Sequence, residues 1–477
     1  MAGIIAYGAY LPYHRLERAD ISAALGTGGG KGARTVASYD EDSTSMGVEA
    51  ARIAVDAPAI RERVDQLYLA TATPAYLDKT NATAVHAALA LDPHVLAVDM
   101  VGSVRSGAGA LITAARAAGP TLAVLSDIRT GLPGGADERD GGDGAAAFVF
   151  GAHHEDTPVL AEVLAQDTIS DEVLDRWRLP GANASRVWEE RFGEEVYVPA
   201  ATEALAGALE STGLTADRID HLVVAGLHGR ACRAVGKAAG VRPEAVVPDL
   251  ADKIGNAGTA QPGILLADVL DRCRPGETIA LVVLGDGAAV LVLRATEALP
   301  ARRPPRPVAA QIAAHGPALK YATYLTWRGL LDREPPRRPD PEPPYAPPSH
   351  RRIGWKYALV ASRCTACGTR QMPPGRVCVA CRSVDATTDE PVANVQGTVA
   401  NSTVDRLAFT PSPPMLVVVV DFDGGGRLRC QLTDAHEADT AVGTRVEMTF
   451  RRTLTANGVH NYFWKARPVR TAVPDQA

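Results

Sequence analysis

A chain of 477 residues, 46% hydrophobic and 22% charged, has the makeup of a globular protein and the length for two to four domains at ~150 residues each. A net charge of −6 leaves no basic footprint for nucleic acid or for an anionic membrane surface, so neither is expected as a partner. No apolar run reaches the ~18 residues of a membrane span, and MAGIIAYGAYLP reads as a first strand rather than a secretion signal.

Residues 1–297 alternate apolar runs with Ala-rich helical patterns, which argues for α/β layers with helices covering sheets. Gln66–Ala70, Thr121–Ser126, Ala145–Phe150, His221–Ala225 and Ile279–Leu284 read as buried strands. Ser45–Val55, Ala82–Ala90, Thr202–Ser211 and Gly263–Asp271 read as helices. Three short sequences recur in order: Val64–Ala70 in Ile219–Ala225, Thr121–Leu125 in Thr278–Val282, and Gly142-Asp-Gly-Ala-Ala in Gly285-Asp-Gly-Ala-Ala. Their offsets are 155, 157 and 143 residues. Such collinear matches predict two copies of one α/β unit, 1–155 and 156–297, packed about a pseudo-twofold axis with a site between them. Val98–Ala118 reads as the end of a strand, a Gly/Ser-rich turn and an Ala-rich helix. Its small residues let another backbone or a ligand approach, and its helix start suits an anionic nucleophile or oxyanion. A Cys would be activated there, but none occurs before Cys232.

Thirteen of the 34 prolines fall between Pro300 and Pro348. Residues 298–352 are therefore expected to be an extended, semi-rigid linker around an amphipathic helix at Ala318–Leu331, docking through Tyr321, Tyr324, Leu325 and Leu331. In 353–385, Cys364, Cys367, Cys378 and Cys381 form C-x2-C-x10-C-x2-C, the spacing of a closed four-thiolate zinc ribbon in which the Zn2+ is structural. Arg363, Arg370, Arg376 and Arg382 are expected to offset its negative charge. With seven Cys and four of them in this cluster, the usage fits a reducing, cytoplasmic setting; Cys232, Cys273 and Cys430 read as buried hydrophobes. Residues 386–477 carry five β runs and a hairpin signal at Asp423–Arg427, which predicts a small all-β barrel of the OB type.

Gly3–Pro12, Asp40–Ala51, Gly255-Asn256 and Gly285–Val290 carry a resemblance to the thiolase superfamily, in its 3-hydroxy-3-methylglutaryl-CoA synthase and 3-oxoacyl-(acyl carrier protein) synthase III branch. The zinc ribbon and barrel resemble the DUF35-type domain that accompanies thiolase-like enzymes as a separate subunit or a fusion. The resemblance implies an α/β, duplicated thiolase-like fold followed by a zinc ribbon and an all-β OB-fold barrel. It implies an acyl-CoA thioester as substrate, with His228 and Asn256 holding the thioester oxygen. It also implies a dimer, pairing the strand that matches Thr121–Ser126 across the subunit interface.

The resemblance has two gaps. The position of its nucleophilic Cys falls on Val104, and that of its Glu acid/base falls on Ala72. Aldol or retro-aldol C–C chemistry on a CoA thioester needs no covalent nucleophile and remains open, with a base not identified. A non-catalytic subunit, paired as a heterodimer with a thiolase homologue, is the alternative to a homodimeric enzyme. A condensing acyltransferase using Ser103 or Ser106, with His228 as base, is the third reading.

Overall fold

The apolar runs of the first 297 residues pair into one nine-stranded sheet. The structure, a computed structural model, describes residues 2–27, 30–188, 190–334, 337 and 341–470. Much of the Pro/Arg-rich arm Glu334–Pro348 therefore lies outside the described residues. Two units are resolved. The first is Met1–Ala37, Asp42–Thr83 and Leu91–Tyr321; the second is Ser38–Glu41, Ala84–Ala90 and Ala322–Ala477. No helix among the described residues is long and apolar enough to cross a membrane.

In the first unit the sheet strands are β1 (Ala2–Tyr10), β2 (Gln66–Thr71), β3 (Leu96–Val101), β4 (Thr121–Ile128), β5 (Asp143–Ala152), β6 (Ala161–Ser170), β7 (His221–Ala225), β8 (Thr278–Leu284) and β9 (Gly287–Ala295). Their order is β7-β8-β9-β6-β1-β5-β4-β2-β3. The repeat is visible in the pairing. β2 runs parallel to β4, and β4 antiparallel to β5. In the same way β7 runs parallel to β8, and β8 antiparallel to β9. β1 meets β6 antiparallel at Gly3–Glu162 and Ile4–Ala161, joining the two copies.

Five helices matter for the site: α1 (Ser43–Ala54), α2 (Arg105–Arg116), α3 (Glu190–Thr212), α4 (Gly229–Ala238) and α5 (Gln261–Arg272). α1 starts on a reciprocal cap, Asp42 accepting from Ser45 N–H and Ser45 Oγ accepting from Asp42 N–H, each at 2.8 Å. α2 explains the small residues of its sequence. A Cβ on Gly107 would lie 2.5 Å from the Thr259 carbonyl oxygen, so only glycine lets these backbones meet.

The strand expected at a subunit interface is not an edge. β4 is hydrogen-bonded to β2 on one side and β5 on the other, so it has no free ladder to offer another chain. The edge on that side is β3, whose Leu96 and Val101 are exposed.

In the second unit the five barrel strands follow the order Arg427–Gln431, Met415–Phe422, Gly397–Asp405, Arg445–Ala456, Val459–Pro468. A bridge from Leu432 to Ala466 links the two ends of that order, as in an OB-type barrel. Phe450 stacks on Tyr462 and meets Trp464 edge-on at the core. The helix expected at Ala318–Leu331 spans only Tyr321–Trp327. Tyr321 in the first unit reaches both Glu138 oxygens at 3.1 Å, and Tyr324 in the second is fully buried, but Leu331 is exposed and anchors nothing.

The two copies of the sheet unit are tied to the start of the Pro-rich segment by Asp271. Its carboxylate accepts from Tyr7 Oη at 3.0 Å and from Val308 N–H at 2.8 Å. Burial is the main reason its pKa rises to about 6, with Asp268 adding and the two hydrogen bonds opposing. The unfolded value lies near 3.9, so between about pH 4 and 6 the folded chain keeps a proton that the unfolded chain has lost. This group's contribution to stability therefore falls as pH rises through that window. Asp271→Asn should raise the stability of the first unit by about 1–2 kcal/mol at pH 7 and by little near pH 4, read from unfolding temperatures at both. An equal gain at both pH values would refute the assignment.

Candidate functional site

One cleft in the first unit collects the features that the sequence singled out. Its cavity volume is about 140 Å³, and its walls include Ala72, Val104, His228 and the turn Gly285–Asp286. That volume is below the ~300 Å³ of a ligand-sized pocket. The reason is a cover: Arg176–Trp177 pairs with Arg186–Val187, and Trp177, Arg178 and Val187 line the cleft. Arg176 anchors this hairpin on Asp137 through bonds of 2.9 and 2.7 Å, and Arg178 donates to the Ala72 carbonyl. The position expected to hold a carboxylic acid is thus an alanine, whose main-chain carbonyl accepts from Arg178.

Val104 stands at the start of α2 with no side-chain cap and is buried. Sequence reasoning had this helix start free to hold an anion. Instead Arg105 N–H is turned onto Ser103 Oγ at 3.3 Å, Ser106 N–H onto Ser103 O at 3.0 Å, and Gly107 N–H onto Val104 O at 3.1 Å. Ser103 also lines the cleft, and its hydroxyl donates to Asp286 Oδ2 at 3.2 Å. Ser106 is not among the cleft residues; it faces a shallow groove with Met100 and Gly109.

His228 precedes α4. Its Nδ1 accepts the Ala231 N–H at 3.1 Å, so Nδ1 is unprotonated and the neutral ring carries its proton on Nε2. Nε2 is buried, with Gly193 packed close to it, and has no hydrogen-bond partner among the described residues. A loop backbone has thus set the tautomer and left one buried N–H donor of this cleft-lining residue unmatched among the described residues. Asn256 is placed differently. Its Nδ2 donates to Gly226 O at 2.8 Å and its Oδ1 accepts from Gly258 N–H at 2.9 Å, and it is not among the residues lining the cleft. It braces the loop leading to His228.

Sequence reasoning missed Asp175, Tyr197 and Asp286, which all line the cleft. The Tyr197 ring lies 6.2 Å from the His228 ring. Burial is the main cause that pushes its phenol above the ordinary value, with the Asp175 charge and a hydrogen bond to Asp175 next, so it stays protonated. The only signal for Asp286 was its place in the repeated Gly-Asp-Gly.

The four ribbon cysteines converge in the second unit, with Sγ atoms all within 4.8 Å of one another. The Cys364–Cys381 and Cys367–Cys378 separations are 3.7 and 3.6 Å. A tetrahedron with Zn–S bonds of about 2.3 Å has edges of ~3.8 Å, so the set fits zinc and would hold it with no open position. Ser383 draws the Cys364 thiol down to about 6, helped by the Cys367 and Ala366 amides. Three of the four arginines expected to offset the thiolates are paired with carboxylates instead. Arg363 and Arg370 both grip Glu390, at 2.8–2.9 and 2.6–3.0 Å, and Arg376 grips Asp385 at 2.6–2.7 Å. Carboxylates nearby are better partners for a planar fork than sulfur. The other three cysteines are inert: burial raises Cys232 and Cys430 to about 12 and Cys273 to about 11.

Comparison with known proteins agrees with this division. Residues 209–294 match the family model of the 3-oxoacyl-[acyl-carrier-protein] synthase III C terminus, 356–385 the ChsH2 rubredoxin-like zinc ribbon, and 390–451 the ChsH2 C-terminal OB-fold domain. Among solved structures, MvaS in complex with 3-hydroxy-3-methylglutaryl coenzyme A is similar at a TM-score of 0.57 and 21% identity, over 72% of this chain and 94% of that one. 3-Oxoacyl-(acyl carrier protein) synthase III, FabH, from Pseudomonas aeruginosa PAO1 gives 0.54 and 24%, over 62% and 98%. These likenesses define a thiolase-like fold. Hydroxymethylglutaryl-CoA synthase of Methanopyrus kandleri is 30% identical over 300 residues, 60% of this chain and 85% of the relative. That of Aeropyrum pernix is 31% identical over 304 residues, 60% and 82%. The chain belongs to the hydroxymethylglutaryl-CoA synthase family of the thiolase superfamily, with a ChsH2-type zinc ribbon and OB-fold following.

The purified chain should carry one zinc per molecule by elemental analysis. Cys367→Ser should lower that content severalfold, and chelation should lower the melting temperature. Full stability in metal-free protein would refute a structural ion.

Proposed function

We propose that the first unit makes or breaks a carbon–carbon bond next to the carbonyl of a CoA thioester, without forming an acyl-enzyme. The observation that carries this reading is the buried Nε2–H of His228, a residue that lines the cleft, with no partner among the described residues. A buried donor without a partner costs about 1–3 kcal/mol, and the oxygen of a thioester enolate is the partner that would satisfy it. The hydrocarbon at Val104 supports chemistry in which nothing is covalently held, because Val offers no nucleophile. The CoA thioester follows from family membership, since relatives in this fold are solved with 3-hydroxy-3-methylglutaryl-CoA and with CoA. Asn256 acts on this reading by fixing the Gly226–His228 loop. A Ser-dependent transferase finds less support: Ser103 already donates to Asp286, and Ser106 is outside the cleft.

A second reading, a non-catalytic subunit beside an active homologue, is favoured by one feature. The unpaired edge of β3 with exposed Leu96 and Val101 can pair with another chain, either a second copy or a homologue. Native mass spectrometry of protein purified from its host separates the two.

Incubation with radiolabelled acetyl-CoA and acid quench should leave no protein-bound label. Retro-aldol cleavage of 3-hydroxy-3-methylglutaryl-CoA, used as a probe, should yield acetyl-CoA and fall at least ~100-fold in His228→Ala. A stable label removed by Ser103→Ala would refute the reading.

A further inference from the structure

Aldol chemistry needs a base as well as an oxyanion donor, and the repeat of the fold shows where the chain has one to spare. The turn Gly142-Asp143-Gly144 in the first copy corresponds to Gly285-Asp286-Gly287 in the second. Asp143 is completely buried and serves the scaffold: it accepts Ala37 N–H at 2.7 Å and Arg129 N–H at 2.9 Å and faces Arg34 at 3.3 Å. Asp286 has none of these partners. It lines the cleft together with His228, and its carboxylate accepts from the Ser103 hydroxyl at 3.2 Å.

The backbone of Asp286 is held in a conformation that it would not choose. Its φ is +46°, in the left-handed region that costs a residue with a Cβ on the order of 1 kcal/mol. Three contacts impose it. Arg105 Nη1 donates to the carbonyls of both Gly285 and Asp286 at 2.8 Å, and Asp171 N–H donates to Asp286 O at 3.1 Å.

We propose that Asp286 is the catalytic base of this cleft, with Ser103 as the residue that positions it. The inference rests on the aldol reading above. In the cleaving direction the Asp286 carboxylate takes the proton of a β-hydroxyl group. The O–H electron pair forms the new carbonyl, the Cα–Cβ bond breaks, and its electron pair becomes the thioester enolate. His228 Nε2–H holds the enolate oxygen. The proton then returns from Asp286 to Cα, which releases an acyl-CoA and a ketone or aldehyde and restores the carboxylate. In the joining direction the same carboxylate removes a Cα proton.

That last step can be read without knowing the natural substrate. The full-length protein in D2O should exchange the Cα protons of acetyl-CoA or propionyl-CoA, followed by NMR. Asp286→Asn and Asp286→Gly should lose exchange at least ~100-fold. Both residues accept a positive φ, and glycine does so freely, so the turn should survive. Formate added to Asp286→Gly should restore part of the exchange, which a purely structural role for Asp286 would not allow. Ser103→Ala should lose less than ~10-fold. Exchange that persists in Asp286→Asn but vanishes in His228→Ala overturns Asp286 as base and leaves the aldol reading standing. No exchange by the unaltered protein with either thioester overturns both.

Discussion

The cleft depends on one side chain, Arg105, and on where its guanidinium goes. From the first turn of α2 it reaches the carbonyls of Gly285 and Asp286, the Ile169 carbonyl at 3.1 Å and Ser170 Oγ at 2.7 Å. The start of a helix in the first copy is thereby fixed to a turn and a strand end in the second. A planar fork with several donors can hold so many acceptors in one geometry; a lysine could not. Gly285 packs closely on the same helix start: a Cβ there would lie 3.2 Å from a Val104 methyl. With the two copies locked in this way, Val104, Ser103 and Asp286 face a single space.

Duplication gave the fold two equivalent turns, and only one of them was needed by the scaffold. Asp143 is spent on the amides of Ala37 and Arg129 and on Arg34. The second turn is held from outside, by Arg105 and Asp171, and its carboxylate is left with the Ser103 hydroxyl in the cleft. His228 follows a similar logic. A backbone N–H fixes its tautomer, and the remaining donor is left to the cleft. Groups relieved of structural duty while their backbones are over-determined are the ones able to meet a substrate in a fixed geometry.

The second unit is organised around buried charge. Arg451 contacts Asp40 at 3.2 Å, Glu41 at 3.0 Å and Asp434 at 2.5 Å, and Lys465 contacts Asp40 at 2.7 Å, all nearly inaccessible to water. Burial alone would raise the Asp40 carboxyl; the charges of Lys465 and Arg451 more than reverse this and hold it well below the usual range. Removing one member of such a set leaves its partners charged and dry, at a cost of roughly 3–5 kcal/mol. Asp40 and Glu41 thus serve the barrel unit, while Asp42 two residues on caps α1 in the first. A single motif of the family is shared between two different tasks.

Much of this was legible from the chain alone because the signals are local. Apolar runs with β-branched residues marked the strands from Gln66 to Leu284, the repeated Gly-Asp-Gly marked the duplication, and paired C-x2-C spacing brought four thiols together. The absence of a thiol at Val104 was equally plain. What one dimension could not supply is the partner of each polar group. Only the pairing of strands showed that β4 is interior and β3 the edge. Only packing decided that Asn256 braces a loop, that Arg363 and Arg370 turn to Glu390, and that of two identical Gly-Asp-Gly turns one carboxylate is buried and the other faces the cleft. Periodicity and spacing are properties of neighbours along the chain, whereas hydrogen-bond satisfaction is settled among groups up to several hundred residues apart, and function here follows from which of them were left unsatisfied.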